Sequence, residues 1–153
     1  MDEKNLSDFL KNDYNLDLLE AVIPSGDNFS MYVTPRFVST YVQGFENYST
    51  RILKKFLKKC DLFIDIGANY GYYSLLADES NKKIRIIAVE PIDENFEVLK
   101  KNLIRNNVGP ERAKCIKAAI SSVSGRIKFI NLKPPITAVS FLILIQKHWN
   151  AWK

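Results

Sequence analysis

Asp65, Gly67, Gly71 and Glu90 are the residues of this chain whose types and spacing point to chemistry. Asp65 precedes Gly67 by two residues, and Gly67-Ala68-Asn69-Tyr70-Gly71 leads into Tyr72-Tyr73-Ser74. The apolar run 62–66 before the turn reads as a buried strand, and Tyr72 onward as the start of a helix. A strand, a glycine turn and a helix N-terminus bring backbone N–H groups and a positive dipole end to one point, which suits an anionic or nucleoside-bearing group. Glu90 closes the next apolar run, 84–89, about 20 residues beyond the turn, as a carboxylate for ribose hydroxyls would. Each feature alone has a plainer meaning: a tight βα turn for the glycines, a helix-capping acid for Glu90. Together, at the ends of adjacent strands, they point to a nucleoside site.

The loop composition narrows the ligand. A dinucleotide site calls for Gly-x-Gly-x-x-Gly, with glycines where pyrophosphate meets the backbone. Counting from Gly67, the second and third glycine places hold Asn69 and Tyr72, and the loop has no basic residue. A phosphate-free cofactor such as S-adenosylmethionine needs less room. Its ammonium suits Asp65 and its carboxylate suits the helix N-terminus.

The elements that must position these residues follow from periodicity. Residues 49–59 read as an amphipathic helix with Ile52, Leu53, Phe56 and Leu57 on one face and Arg51, Lys54, Lys55, Lys58 and Lys59 on the other. Strand 62–66, apolar on both faces except at its acids, suits a central parallel strand covered on both sides. A helix over about 72–78 and a strand over 84–89 come next. Pro91 is expected to open the following helix, where proline is tolerated. Ile92, Phe96, Leu99 and Leu103 form its stripe, and Asn106-Asn107 with Gly109-Pro110 stop it. Residues 114–120 read as a third strand, 121–125 as a turn and 126–130 as a fourth strand. The alternation predicts a βαβαβ unit with strand order 3-2-1.

Before this core, 18–23 and 29–33 read as a hairpin around the turn Pro24-Ser25-Gly26-Asp27-Asn28, with a short helix through Leu10 ahead of it. Thr34-Pro35-Arg36 is expected to end the second strand. The predicted organisation is an N-terminal extension over 1–48, a cofactor-binding core over 49–132 and an atypical tail over 133–153. In the tail, 139–145 reads as a strand or a helical turn.

Composition bounds the remaining possibilities. A chain of 153 residues with 46% hydrophobic residues supports one domain with a core. Two distant cysteines, Cys60 and Cys115, predict free thiols, and one histidine with no Cys-x-x-Cys pair argues against a metal site. A polar, acidic start and no long apolar run predict a soluble cytoplasmic protein with no membrane span. Net charge is +5, yet eight of the 22 Lys/Arg and no acid lie from Arg112 onward, so residues 1–111 carry fourteen basic groups against all seventeen acids. The basicity belongs to the tail, and no nucleic-acid partner is expected.

The residues also resemble a known family. The stretch Phe63 to Ser74 looks like the first motif of the FkbM-type S-adenosylmethionine-dependent methyltransferases. Ala88-Val89-Glu90-Pro91, with Asn95-Phe96 and Leu99-Lys100-Lys101-Asn102, is similar to the second. Ala118-Ala119-Ile120-Ser121 with Gly125 and Phe129, and Gly44-Phe45-Glu46 upstream, extend the resemblance to about 42–130. The resemblance implies an α/β fold with a Rossmann-like class I methyltransferase sheet, here truncated and carrying an N-terminal β-hairpin/helix extension. It implies S-adenosylmethionine as cofactor, with Asp65, Gly67, Ala68, Asn69 and Gly71 along its methionine part and Glu90 on the ribose. It implies O-methylation of a hydroxyl on a small-molecule or glycan substrate. No catalytic base is legible; Tyr14, Tyr32, Tyr41 and Glu46 are within reach of consideration, with core packing the expected role of the tyrosines. The family continues into an acidic Asp-x-Glu-Gly-type motif that this acid-free tail lacks. That difference predicts a truncated or frame-shifted C-terminal half, and on that reading an inactive fragment. The competing readings are a non-catalytic α/β fragment and a module for NAD or another nucleotide.

Overall fold

The computed structural model of the chain describes residues 18–22, 29–42, 47–122, 125 and 141–146. Its elements, in chain order, are β1 (Leu19–Val22), β2 (Ser30–Val33), α1 (Pro35–Val42), α2 (Asn47–Leu57), β3 (Leu62–Ile66), α3 (Tyr72–Ser80), β4 (Arg85–Val89), α4 (Asp93–Arg105), β5 (Ala113–Ile116) and β6 (Phe141–Gln146). The expected N-terminal helix, the hairpin turn and the strand at 126–130 lie outside the described residues, as do Tyr14 and Glu46.

The fold is α/β. Three strands are parallel, ordered β5-β4-β3, and β6 completes that sheet beside β3. Leu62 to Ile66 pair in step with Arg85 to Val89, and Ile86 to Val89 with Ala113 to Ile116. The 3-2-1 order expected from the sequence is thus observed, in an arrangement compatible with part of a Rossmann-like sheet. The tail strand also pairs: β6 runs antiparallel to β3, from Leu62 opposite Gln146 to Ile66 opposite Phe141, with an irregularity between Phe63 and Asp65. Strand β3 is therefore not an edge.

The core forms where the apolar runs meet the helices. Phe63, Leu75, Leu76, Ile84, Ile86 and Leu99 are fully buried, each contributing about 1.5–3 kcal/mol of transfer free energy. Helix α3 is buried from Tyr72 to Asp78, so it shows no amphipathic stripe. On β3, Leu62, Phe63 and Asp65 are buried while Ile64 and Ile66 are half-buried, so the strand is less evenly covered than its apolar run suggests. Buried Asp78 accepts from Lys82 at 2.9 Å and from Arg112, tying the end of α3 to the α4–β5 connection.

Several boundaries differ from expectation. Helix α1 stands where Pro35 was expected only to end a strand; proline is accommodated as its first residue. Helix α4 begins at Asp93, because Ile92 is extended at φ −86°, ψ 125° and Pro91 lies ahead of it. Strand β5 stops at Ile116 rather than 120, because β4 ends at Val89; the Glu90 N–H to Ile116 carbonyl bond, 3.1 Å, follows the last paired residues. On α2, Leu53 and Leu57 are buried but Ile52 and Phe56 are exposed, so the expected single apolar face is two faces.

The hairpin is observed as an antiparallel β1–β2 pair, with Leu19 opposite Val33. Asn102, fully buried on α4, fastens it to the core: its amide accepts from the Tyr32 N–H and donates to the Tyr32 carbonyl at 3.0 Å. Asn106 donates to the Ser30 carbonyl at 2.8 Å.

Candidate functional site

Strand β3 and helix α3 deliver the turn as the sequence suggests. Gly67 and Gly71 take positive φ, 74° and 88°, where a Cβ is disfavoured. At Gly71 a Cβ would also stand 2.6 Å from the buried Leu99 Cδ1. Asn69 takes φ 50°, a left-handed conformation that asparagine tolerates better than most residues. The Gly67 and Ala68 N–H groups both donate to the Val89 carbonyl, at 2.8 and 3.0 Å, which locks the turn against the end of β4. Gly71, which has no side chain, makes no cap bond to α3; within the first turn of the helix the Ser74 backbone N–H is taken by the Asp65 carboxylate.

Asp65 is buried at 1% exposure. Its Oδ2 accepts from the Ser74 hydroxyl at 2.7 Å, while Oδ1 is buried with no hydrogen-bond partner. Burial pushes the carboxyl up to about 6; the Ser74 hydroxyl and backbone N–H oppose that rise, and the charge of Glu90 adds to it. Asn69 repeats the pattern, for its Oδ1 is also buried without a partner. Buried acceptors are nearly always satisfied, so two orphans at one turn are informative.

Glu90 is 2% exposed and works for the backbone. Oε2 accepts from the Asn69 N–H at 2.8 Å. Oε1 accepts from the Ile92 N–H at 3.0 Å and from Asn95 Nδ2 at 3.4 Å. A carboxylate has about four acceptor positions, so roughly one remains for a ligand hydroxyl. Glu90 thus meets the plainer expectation of an acid at the entry to α4, and it also bonds the turn at Asn69.

All six residues singled out from the sequence, Asp65, Gly67, Ala68, Asn69, Gly71 and Glu90, thus lie in one hydrogen-bonded unit. Tyr32 and Tyr41 are buried, at 7% and 4% exposure, and belong to the packing. Tyr41 stacks on Tyr72, whose ring also meets Phe29 edge-on at 5.8 Å. Ser74, Asn95 and Asn102 lie within the quoted sequence motifs, but sequence reasoning gave them no role. Asn102 donates to the Tyr70 carbonyl at 2.7 Å, so it holds the turn as well as the hairpin. Ser74 had a local signal: a hydroxyl in the first turn of a helix beyond a strand-end acid. For Asn102 the resemblance marked the position but not its partners, which lie 32 and 70 residues away.

An apolar cavity of about 320 Å³ lies elsewhere, between α4 and β5, lined by Leu103, Ile104, Val108, Ala113 and Cys115 among others. It shares no residue with the turn. Both cysteines are free, Cys60 buried and Cys115 half-buried, and burial pushes the Cys115 thiol up. No helix among the described residues is long and apolar enough to cross a membrane. Compared with known proteins, the chain matches no family model and no curated protein.

Proposed function

We propose that this chain carries an S-adenosylmethionine-binding half-site of a class I methyltransferase, of the FkbM kind that its motifs resemble. The observation that carries the reading is the unpartnered, buried Asp65 Oδ1 beside the N-terminus of α3, where Gly71 supplies no cap. Asp65 Oδ1 is an acceptor that suits a cationic donor, and the N–H groups and dipole at the start of α3 suit an anion. An amino-acid zwitterion has both, and the methionine end of this cofactor is one. Glu90, with about one acceptor position left, takes a ribose hydroxyl. When bound, the cofactor supplies an electrophilic methyl group for transfer to a nucleophile.

The residues of this chain bind and orient. Gly67 and Gly71 let the backbone approach closely. The bonds to Val89 hold the turn before ligand arrives, which lowers the ordering cost of binding. Positioning is the main contribution such a site makes to methyl transfer. We assign the acceptor to the class of hydroxyls on glycans or natural products, by resemblance, and the setting to the cytoplasm.

A module for NAD or another nucleotide is the second reading. The left-handed backbone of Asn69 favours it, since a glycine there would adopt the same conformation. Against it, Asn69 keeps a side chain in the turn, with Oδ1 buried. A non-catalytic α/β fragment is the third reading. Isothermal titration with S-adenosylmethionine, S-adenosylhomocysteine and NAD separates them: heat with the first two alone supports the proposal, heat with NAD the second, and no heat the third.

A further inference from the structure

We propose that α2 is a docking surface for an anionic membrane leaflet. The helix carries two apolar faces. Leu53 and Leu57, with Thr50, are buried against the fold. Tyr48, Ile52 and Phe56, spaced four apart, form a second stripe that is 77%, 41% and 54% exposed. At 100° per residue the two faces are centred roughly 130° apart, so one helix cannot bury both against the same neighbour. Arg51 and Lys55 stand beside the outer stripe on the helix, and Lys58 and Lys59 follow in the turn at its end, all exposed. None of the four is in an ion pair among the described residues. From Asn47 to Cys60 there is no acid; Glu46 and Asp61 flank that stretch in the sequence, and Glu79 lies near Lys54.

Charge decides the occupant. A second copy meeting this face about a two-fold axis would set cations against cations. A phosphate-rich nucleic acid would answer the cations but give Ile52, at the middle of the stripe, nothing apolar to enter. An anionic bilayer offers both, acyl boundary for the stripe and headgroup charge for the flank, and needs no shape complementarity. With three apolar side chains the attachment is reversible, each nearby cation strengthening it about fivefold. This inference does not depend on the cofactor reading.

The test is flotation of the full chain with vesicles. Wild type binds phosphatidylcholine vesicles containing about 30 mol% phosphatidylserine, does not bind phosphatidylcholine alone, and is released at about 0.5 M salt. Ile52→Ser with Phe56→Ser, and separately Lys55→Glu with Lys59→Glu, each weaken binding at least about tenfold. Far-UV circular dichroism and the urea midpoint stay unchanged in both pairs, because all four side chains are exposed. Equal binding to both vesicle types, no binding to either, or anionic binding that either pair leaves intact would overturn the proposal. So would a wild-type dimer in sedimentation that the apolar pair dissolves, or RNA binding in place of vesicle binding.

Discussion

The Ser74 hydroxyl donates to Asp65 Oδ2 at 2.7 Å, and it does so to a carboxylate whose other oxygen has no partner. Half of a buried acid is thus held in place and half is left for something else. Asp65→Asn keeps an acceptor for Ser74 and removes the buried charge. At neutral pH it should stabilise the free protein, by up to about 3 kcal/mol, since the folded carboxyl sits near 6 rather than 3.8. The same change should weaken S-adenosylmethionine binding about 10- to 100-fold, the worth of a charge-assisted hydrogen bond. Urea unfolding and calorimetry on one preparation check both. Stability and affinity falling together would point to a merely structural aspartate.

The same residue sets a pH dependence. Because its folded pKa is raised, Asp65 binds a proton more tightly in the folded state. The stability this confers is full below about pH 4 and is lost as pH rises through about 6. Wild type should therefore lose stability across that window relative to Asp65→Asn. Cofactor binding runs the other way, since an ammonium ligand selects the ionised form. Affinity should fall by up to about tenfold per pH unit below 6. Titrations at a series of pH values read it out, and a flat profile would remove Asp65 from the site.

Gly71→Ala should cost about 1–3 kcal/mol. The residue sits at φ 88°, which strains any side chain, and the added methyl would stand 2.6 Å from the Cδ1 of buried Leu99, which must shift. Gly125, which has nothing within 4 Å of an added Cβ, should accept alanine with little effect. The pair of unfolding midpoints makes the comparison.

Asn102→Leu should destabilise by about 2–4 kcal/mol. It leaves the Tyr32 N–H and carbonyl and the Tyr70 carbonyl without the amide that joins them. Because Tyr70 lies in the turn, cofactor affinity should drop as well, and hydrogen exchange at Asn69–Gly71 should quicken. Slower or unchanged exchange there would mean that the turn stands without the amide.

What could be read from the sequence was what is local. Strand β3, the turn and Glu90 are contiguous or about twenty residues apart, and each has a composition signal: an unbroken apolar run, glycines at the positive-φ positions, an acid at a strand end. Helix α1 was hidden by Pro35, which marks a break as readily as a first helical residue. Helix α2 was legible as a helix, but adjacent apolar pairs, Ile52-Leu53 and Phe56-Leu57, do not say which member turns inward. Neither orphaned acceptor was visible, because an absent partner is a property of packing rather than of spacing.

The most direct measurement is calorimetric titration of the wild-type chain with S-adenosylhomocysteine, beside Asp65→Ala and Glu90→Ala. The account predicts a saturable heat with wild type, a large loss of affinity in both variants and no heat with NAD. No heat with wild type, or variants that bind as well as wild type, would contradict it.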